Sequence, residues 1–178
     1  MGTVFFLGDS HFGHKKLLTF ASSSRGKRFS SIEEHDQTLE DNWNRVVRSK
    51  DVVYHCGDVS FGNLEVLKRL RGDKKLIMGN HDKYSQLGAH FTNIYGALKY
   101  NYKDLHAIIT HIPVNDQSLG KRFTHNIHGH SHDYNVKWHA DDFSLYEDHE
   151  DERYLNVSVE QINYTPISLE ELYERAQN

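Results

Sequence analysis

Short apolar runs alternate with amphipathic stretches along this chain. Val4 to Leu7 are four consecutive apolar side chains that stop at Gly8, so residues 3–7 read as a strand. Residues 31–49 place Ile32, Leu39, Trp43, Val46 and Val47 near one helical face, and Ser31 followed three positions later by Glu34 is a capping box. Between these, residues 15–21 read as a short helix and 22–28 as a Ser-rich basic loop. Strands follow at 51–55 and 75–78, with a short helix at 64–70 that carries Leu64, Leu67 and Leu70 on one side. Residues 105–110, 124–127 and 154–159 are further strands. Pro166 precedes a last helix, where Ser168 and Glu171 form a second capping box. Strands separated by helices early in the chain, and by loops later, predict an α/β domain with parallel units followed by a mixed or antiparallel section. A single domain over residues 1–178 is expected.

Composition narrows the class. Apolar residues make up 37% and charged residues 26%, which excludes a disordered or fibrous chain. No apolar run approaches the roughly 18 residues needed to cross a bilayer, and no basic segment followed by an apolar stretch opens the chain. Neither a membrane partner nor a signal peptide is therefore expected. A single cysteine, Cys56, excludes an internal disulfide and a cysteine zinc site and points to the reducing cytoplasm. A net charge of −4 is not the footprint of a protein that coats nucleic acid, so no stable nucleic-acid complex is expected, though a nucleotide remains a fitting substrate. Nothing in the pattern fixes an oligomeric state. The anomaly is the count of 14 histidines, many beside Asp, Asn or Gly, because neutral imidazole is the commonest metal ligand.

These histidines follow strand ends. After the first strand comes Asp9-Ser10-His11; after the second, Gly57-Asp58; after the third, Gly79-Asn80-His81-Asp82. His111-Ile112-Pro113 follows the fourth, and His128-Gly129-His130-Ser131-His132 the fifth. In open α/β sheets ligands sit beyond the carboxyl ends of the strands, so strands that share one sheet bring these groups together. The chemistry they suit is a pair of divalent metals about 3.5–4 Å apart, with a carboxylate between them. Asp58, after a central strand and a glycine, is the natural bridge. Mixed nitrogen and oxygen ligation suits Mn²⁺, Fe or Zn²⁺ better than Ca²⁺ or Mg²⁺, and Mn²⁺ is expected first.

The ordered series D-x-H, G-D, G-N-H-D, H-x-P and G-H-x-H resembles the calcineurin-like metallophosphoesterase superfamily. Asp9-Ser10-His11-Phe12-Gly13-His14, and the ending Asn156-Val157-Ser158-Val159 with Tyr164-Thr165-Pro166-Ile167-Ser168-Leu169-Glu170-Glu171, resemble its small bacterial and phage branch of predicted phosphoesterases. The resemblance implies two mixed β-sheets packed face to face with helices outside. It implies one metal held by Asp9, His11, Asp58 and His132, and a second by Asp58, Asn80, His111 and His130. It makes His81 the catalytic histidine that protonates the leaving oxygen, with Asp82 orienting and polarising it, while a hydroxide between the metals attacks phosphorus in line.

Other residues carry alternatives. His14 is a substrate contact or a cap on the following helix, and Arg28 is the basic-loop candidate for the substrate. Arg25, Lys27 and Arg28 otherwise read as a solvated basic loop. His128 is expected in a supporting role, and Cys56 as a small buried strand residue. The acidic stretch 141–152, with His149, reads as a solvated surface loop in preference to a third metal site. Only 29 positions separate Asp82 from His111 and 22 separate His132 from Tyr154, too few for a cap domain. An uncapped site is open to solvent and to bulky substrates, and the resemblance, with His81 intact, implies hydrolysis of phosphodiesters in nucleotide-like substrates. The alternatives are a phosphomonoesterase, including a protein phosphatase, and a non-catalytic protein-binding scaffold on the same fold. A histidine-rich metal buffer fits poorly, because a buffer has no need of one histidine per strand end.

Overall fold

The computed structural model describes residues 2–19, 24–138 and 149–177. In chain order the elements are β1 (Val4–Leu7), a 3₁₀ turn (Lys15–Leu18), α1 (Ser24–Arg28), α2 (Ile32–Val46), β2 (Val52–His55), α3 (Val66–Arg69), β3 (Asp73–Ile77), α4 (Tyr84–Leu87) and β4 (Asn93–Tyr95). Then come β5 (Leu98–Tyr102), β6 (Leu105–Ile109), α5 (Asp116–Leu119), β7 (His125–His128), β8 (Lys137–Trp138), β9 (His149–Glu150), β10 (Tyr154–Asn156), β11 (Ile167–Ser168) and α6 (Leu169–Arg175). The acidic stretch therefore lies mostly outside the described residues, except for its last four positions, where β9 pairs with β8.

The strands form two mixed sheets. One has the order β11-β1-β2-β3-β4 and the other β10-β7-β6-β5. β1 to β4 run parallel, and β11 closes that sheet antiparallel to β1. β10, β7 and β6 run parallel and β5 lies antiparallel to β6. The sheets meet through aromatic side chains: Tyr100 of β5 packs edge-on against Phe6 of β1 (5.7 Å) and Tyr54 of β2 (5.6 Å). Helices flank this pair of sheets. Among the described residues nothing stands over the strand ends as a cap.

α2 buries Ile32, Leu39 and Trp43, as the spacing predicts, and the Trp43 indole N–H donates to the Arg71 carbonyl at 2.8 Å. Its capping box is offset. The Ser31 hydroxyl accepts from Glu34 N–H at 3.1 Å, but the Glu34 carboxylate reaches back to Ser30 instead of the Ser31 N–H. At α6 both halves of the box form between Ser168 and Glu171.

Two expectations fail here. Residues 24–28 are helical, not loop, because one helical turn wrapped around a buried cation, Arg25, has no apolar stripe to read. β4 and β5 were not visible as strands in the sequence. The first is a three-residue edge, and the second alternates leucine and tyrosine with Lys99 and Asn101.

Candidate metal centre

The candidate ligands stand just past strand ends, on backbone that turns sharply. Eight described non-glycine residues have positive φ, and five are candidate ligands: Asp9 (58°), His11 (46°), Asp58 (55°), His130 (69°) and His132 (49°). Each such turn costs about 1–2 kcal/mol for an L-residue, although Asp and His tolerate it better than most. Strain of this kind gathers where side chains must be aimed. The loops are laced together past the sheet edges. Asp9 N–H donates to the Gly57 carbonyl (2.9 Å), His11 N–H to Asp58 (3.0 Å), Gly129 N–H to His111 (3.0 Å) and Gly8 N–H to Val157 (2.7 Å). That last contact joins the two sheets beside the site.

Two sets of ligating atoms result. Asp9, His11 and His132 form one, and Asp9, Asp58 and His111 the other; within each the atoms lie within 4.8 Å of one another. Asn80 and His130 flank the second set. Asn80 Oδ1 is 2.8 Å and His130 Nδ1 3.2 Å from His111 Nε2.

The donor set fits a cation. Asp9 is fully buried; its Oδ2 accepts from His130 N–H and from the Ser158 hydroxyl, each at 2.8 Å, while its Oδ1 has no hydrogen-bond partner. Neither ring nitrogen of buried His11 has one. His11 Nε2 sits 3.8 Å from both Asp9 Oδ1 and Asp58 Oδ2. Burial holds that imidazole neutral, pushed down to about 4. An unanswered buried polar atom costs about 1–3 kcal/mol, so three together mark a place for an ion.

The other side has the complementary feature. His111 Nδ1 lies 2.8 Å from the Cys56 carbonyl, which only accepts, so Nδ1 carries the hydrogen. Nε2 then faces Asn80 Oδ1 and Asp58 Oδ2, the latter at 3.5 Å. Acceptors converge there on a point that needs a proton or a dication. Burial opposes charge on His111, yet its contacts with Asp58 and Asp9 raise it above the usual range. Asp58 is likewise pulled well below the ordinary carboxylate range: burial opposes this, and His111 and the His81 N–H outweigh it. Asp58 Oδ1 accepts from His81 N–H (2.9 Å), which leaves Oδ2 between the imidazoles of His11 and His111.

Glycines make this closeness possible. A Cβ at Gly57, whose φ is +88°, would stand 2.5 Å from His111 Nδ1 and 2.7 Å from Gly79 Cα. A Cβ at Gly79 would stand 2.2 Å from Asp58 Oδ1.

The remaining expected residues fall as follows. His81 is exposed, with its ring 5.1 Å from Phe61 and 6.3 Å from His11. Asp82 departs from its expected part as the group that polarises His81. Its carboxylate accepts from the backbone N–H groups of Asp58 (2.9 Å), Val59 (2.9 Å) and Gly79 (2.8 Å), so it clasps the β2 and β3 loops together. His14 stacks on Phe61 at 4.0 Å beside the site. Arg28 reaches Asn163 Oδ1 (2.8 Å) and lies over the Tyr164 ring (4.5 Å). His128 is buried with Nδ1 donating to the Gly129 carbonyl, and burial holds it near 4.

Sequence reasoning missed several supporting groups, and it left open whether Asp36, on the capped helix, approaches the cleft. His55 is buried at the end of β2 with Nε2 2.8 Å from Ser10 Oγ; that hydroxyl gives its own hydrogen to the Val59 carbonyl. Asp36 of α2 accepts from Gly13 N–H and from Asn63, fixing the loop after β1. Arg25, expected in a solvated loop, is fully buried against Asp9 and Glu160. Glu160 was legible in principle, since it directly follows the predicted strand 154–159. An open cleft of about 600 Å³ borders these groups, lined by His11, His14, His81, His130, His132 and Tyr134 among others.

Clustered carboxylates and imidazoles at the carboxyl ends of two packed mixed sheets are the mark of a metal-dependent hydrolase. The sequence bears this out: the chain belongs to the calcineurin-like phosphoesterase superfamily, whose domain model matches residues 3–157, and is accordingly a metal-dependent phosphoesterase. It is 34% identical to an uncharacterized protein of Methanocaldococcus jannaschii over 178 aligned positions, covering 96% of this chain and 89% of that one. It is 36% identical to the Gene 66 protein of Mycobacterium phage L5 over 89 positions, 46% of this chain and 41% of the phage protein. The crystal structure of a protein of unknown function from Aquifex aeolicus shares the fold with a TM-score of 0.75 at 25% identity, covering 98% of this chain and 99% of that one.

Proposed function

We propose that the protein is a dinuclear phosphodiesterase acting on nucleotide-like esters, with Mn²⁺ as the working metal and the cytoplasm as its place of action. The observation that carries this is the set of unanswered buried acceptors, Asp9 Oδ1 and His11 Nε2, beside the acceptors that converge on His111 Nε2. Asp9, His11, His132 and Asp58 hold one ion in this reading, and Asp58, Asn80, His111 and His130 the other. Bound there, the ions supply an acidified water and positive charge against the phosphate oxygens.

The chain's own residues do the rest. His81 borders the cleft next to both sets and gives a proton to the leaving oxygen. Its backbone N–H donates to Asp58 Oδ1, which ties the loop carrying the imidazole to that carboxylate. Asp82 holds the two loops that carry them. The cleft of about 600 Å³ leaves room beside a phosphate for an organic group on each side, with Tyr134 and His14 as aromatic neighbours. No helix among the described residues is long and apolar enough to cross a membrane, and the one cysteine, Cys56, is buried and free.

The test is hydrolysis of bis-p-nitrophenyl phosphate against p-nitrophenyl phosphate by protein stripped of metal and reloaded with Mn²⁺. Diester turnover that is lost in His81→Ala supports the proposal. Turnover of the monoester alone makes the protein a phosphomonoesterase. No turnover of either, with Mn²⁺, Zn²⁺ or Fe²⁺, leaves a scaffold on the same fold.

A further inference from the structure

Arg25 exposes no surface at all. A guanidinium taken out of water is stable only when its N–H groups are answered. Nε donates to Glu160 Oε1 at 2.6 Å, Nη2 to the Asp9 carbonyl at 2.6 Å and Nη1 to the Ser10 carbonyl at 3.4 Å. The same Glu160 oxygen lies 2.9 Å from His132 Nδ1. One buried cation thus grips the backbone of the first candidate ligand directly and the ring of another through a carboxylate.

The protons in this chain can be placed. Glu160 lies against a guanidinium and is ionised, so it has no hydrogen to give. The hydrogen in the 2.9 Å contact therefore sits on His132 Nδ1. Arg25 Nη2, 3.3 Å from that nitrogen, is a neighbour and not its donor; its hydrogen goes to the Asp9 carbonyl. The lone pair of His132 is then on Nε2, at the ring edge away from Glu160.

We propose that Arg25 and Glu160 are positioning residues, a buried pair that fixes His132 in its Nδ1–H form and sets Nε2, together with Asp9, toward a single cation. This rests on the reading of Asp9, His11 and His132 as one ligand set. It adds that the two cation sites differ in what holds them. Glu160 touches His132, which stands in the first set alone, whereas His111 of the other set is oriented by the Cys56 carbonyl; Asp9, whose backbone Arg25 holds, borders both. Groups that orient a ligating histidine typically change metal affinity by about 10–100-fold when removed.

Two measurements test this. Long-range ¹H–¹⁵N spectra of the histidine rings in chelator-treated wild-type protein should show His132 as the Nδ1–H form; the Nε2–H form overturns the proposal. Mn²⁺ titration followed by electron paramagnetic resonance should show two ions on the wild type. In Glu160→Ala one ion should keep its affinity and the other weaken about 10–100-fold. Arg25→Lys keeps a charge for Glu160 but cannot reach the Asp9 carbonyl at the same time, and should weaken that one ion by less. Two ions bound to both variants as to wild type overturn the relay alone. No Mn²⁺, Zn²⁺ or Fe²⁺ bound to the wild type overturns the metal reading, and this proposal with it. If Glu160→Ala does not fold, the wild-type spectrum and Arg25→Lys decide.

Discussion

Gly57→Ala probes how closely the metal loops must approach. Gly57 lies at φ +88°, and a Cβ there meets His111 Nδ1 at 2.5 Å, Gly79 Cα at 2.7 Å and Gly79 N at 2.7 Å. The left-handed backbone alone costs an L-residue about 1–2 kcal/mol. Carbon atoms in contact prefer ~3.5–4.0 Å, so the β2 and β3 loops must part by about 1 Å. Overpacking of this kind costs roughly 1–3 kcal/mol, for a total of roughly 2–5 kcal/mol. That is less than the ~5–15 kcal/mol of an ordinary domain, so the protein still folds. At ~2–4 °C per kcal/mol for a chain of this size, the metal-free protein should melt roughly 5–20 °C lower. The site should suffer more than the fold, because the displacement falls between Asp58 and His111. The assay is thermal unfolding with chelator, paired with Mn²⁺ titration. Gly62→Ala is the control: its φ is +136° and nothing stands within 4 Å of its Cβ, so only the backbone cost applies. If Gly57→Ala binds two Mn²⁺ as the wild type does, and loses no more stability than Gly62→Ala, the close-approach argument is wrong.

Three further outcomes are expected. Asp58→Asn keeps an acceptor for the His81 N–H but removes the carboxylate charge between His11 and His111, so both ions should weaken together in calorimetric titration; loss of one alone removes Asp58 as the bridge. His81→Ala should leave Mn²⁺ stoichiometry at the wild-type value and lower diester turnover by about 10²–10⁴-fold, the usual worth of a general acid; a metal-free variant would make His81 a ligand. Glu160 is held down to about 2, against burial, by Arg25 and His132, below its ordinary 4.5. Its contribution to stability is therefore full above about pH 4.5 and fades as pH falls toward 2. In chelated protein Glu160→Gln should flatten that acid limb of the melting curve, and an unchanged limb would show that Glu160 is not the group protonated there.

The sequence speaks clearly about one kind of residue. A polar group that directly follows an apolar run is placed by the strand itself, so Asp9, Asp58, Asn80, His111 and His130 could be read from position alone. The longer strands were legible too, but not the two-residue β8, β9 and β11, the three-residue edge β4, or β5, where tyrosine supplies the apolar face. The division into two sheets was not. It depends on which strand pairs with which, and the antiparallel returns of β11 onto β1 and β5 onto β6 leave no mark in local pattern. That part rested on the resemblance, and the pairing agrees with it.

What holds the candidate ligands was least legible, for a definite reason. Arg25 meets Glu160 across 135 positions, and Asp36 meets Gly13 from another element across 23. Neither belongs to a motif, since each acts on backbone and side-chain groups of distant loops. Asp82 shows the same limit inside a motif. Its place after His81 suggested a partner for the imidazole, yet three backbone N–H groups claim its oxygens. A carboxylate goes where unpaired donors are, and the left-handed turns at Asp9, His11 and Asp58 take those backbones out of the regular strand ladder. The strain that aims the ligands thus also creates the need for Asp82, Asp36 and Arg25. A chain that keeps the ligand motif but lacks these three should fold its sheets and still bind metal poorly.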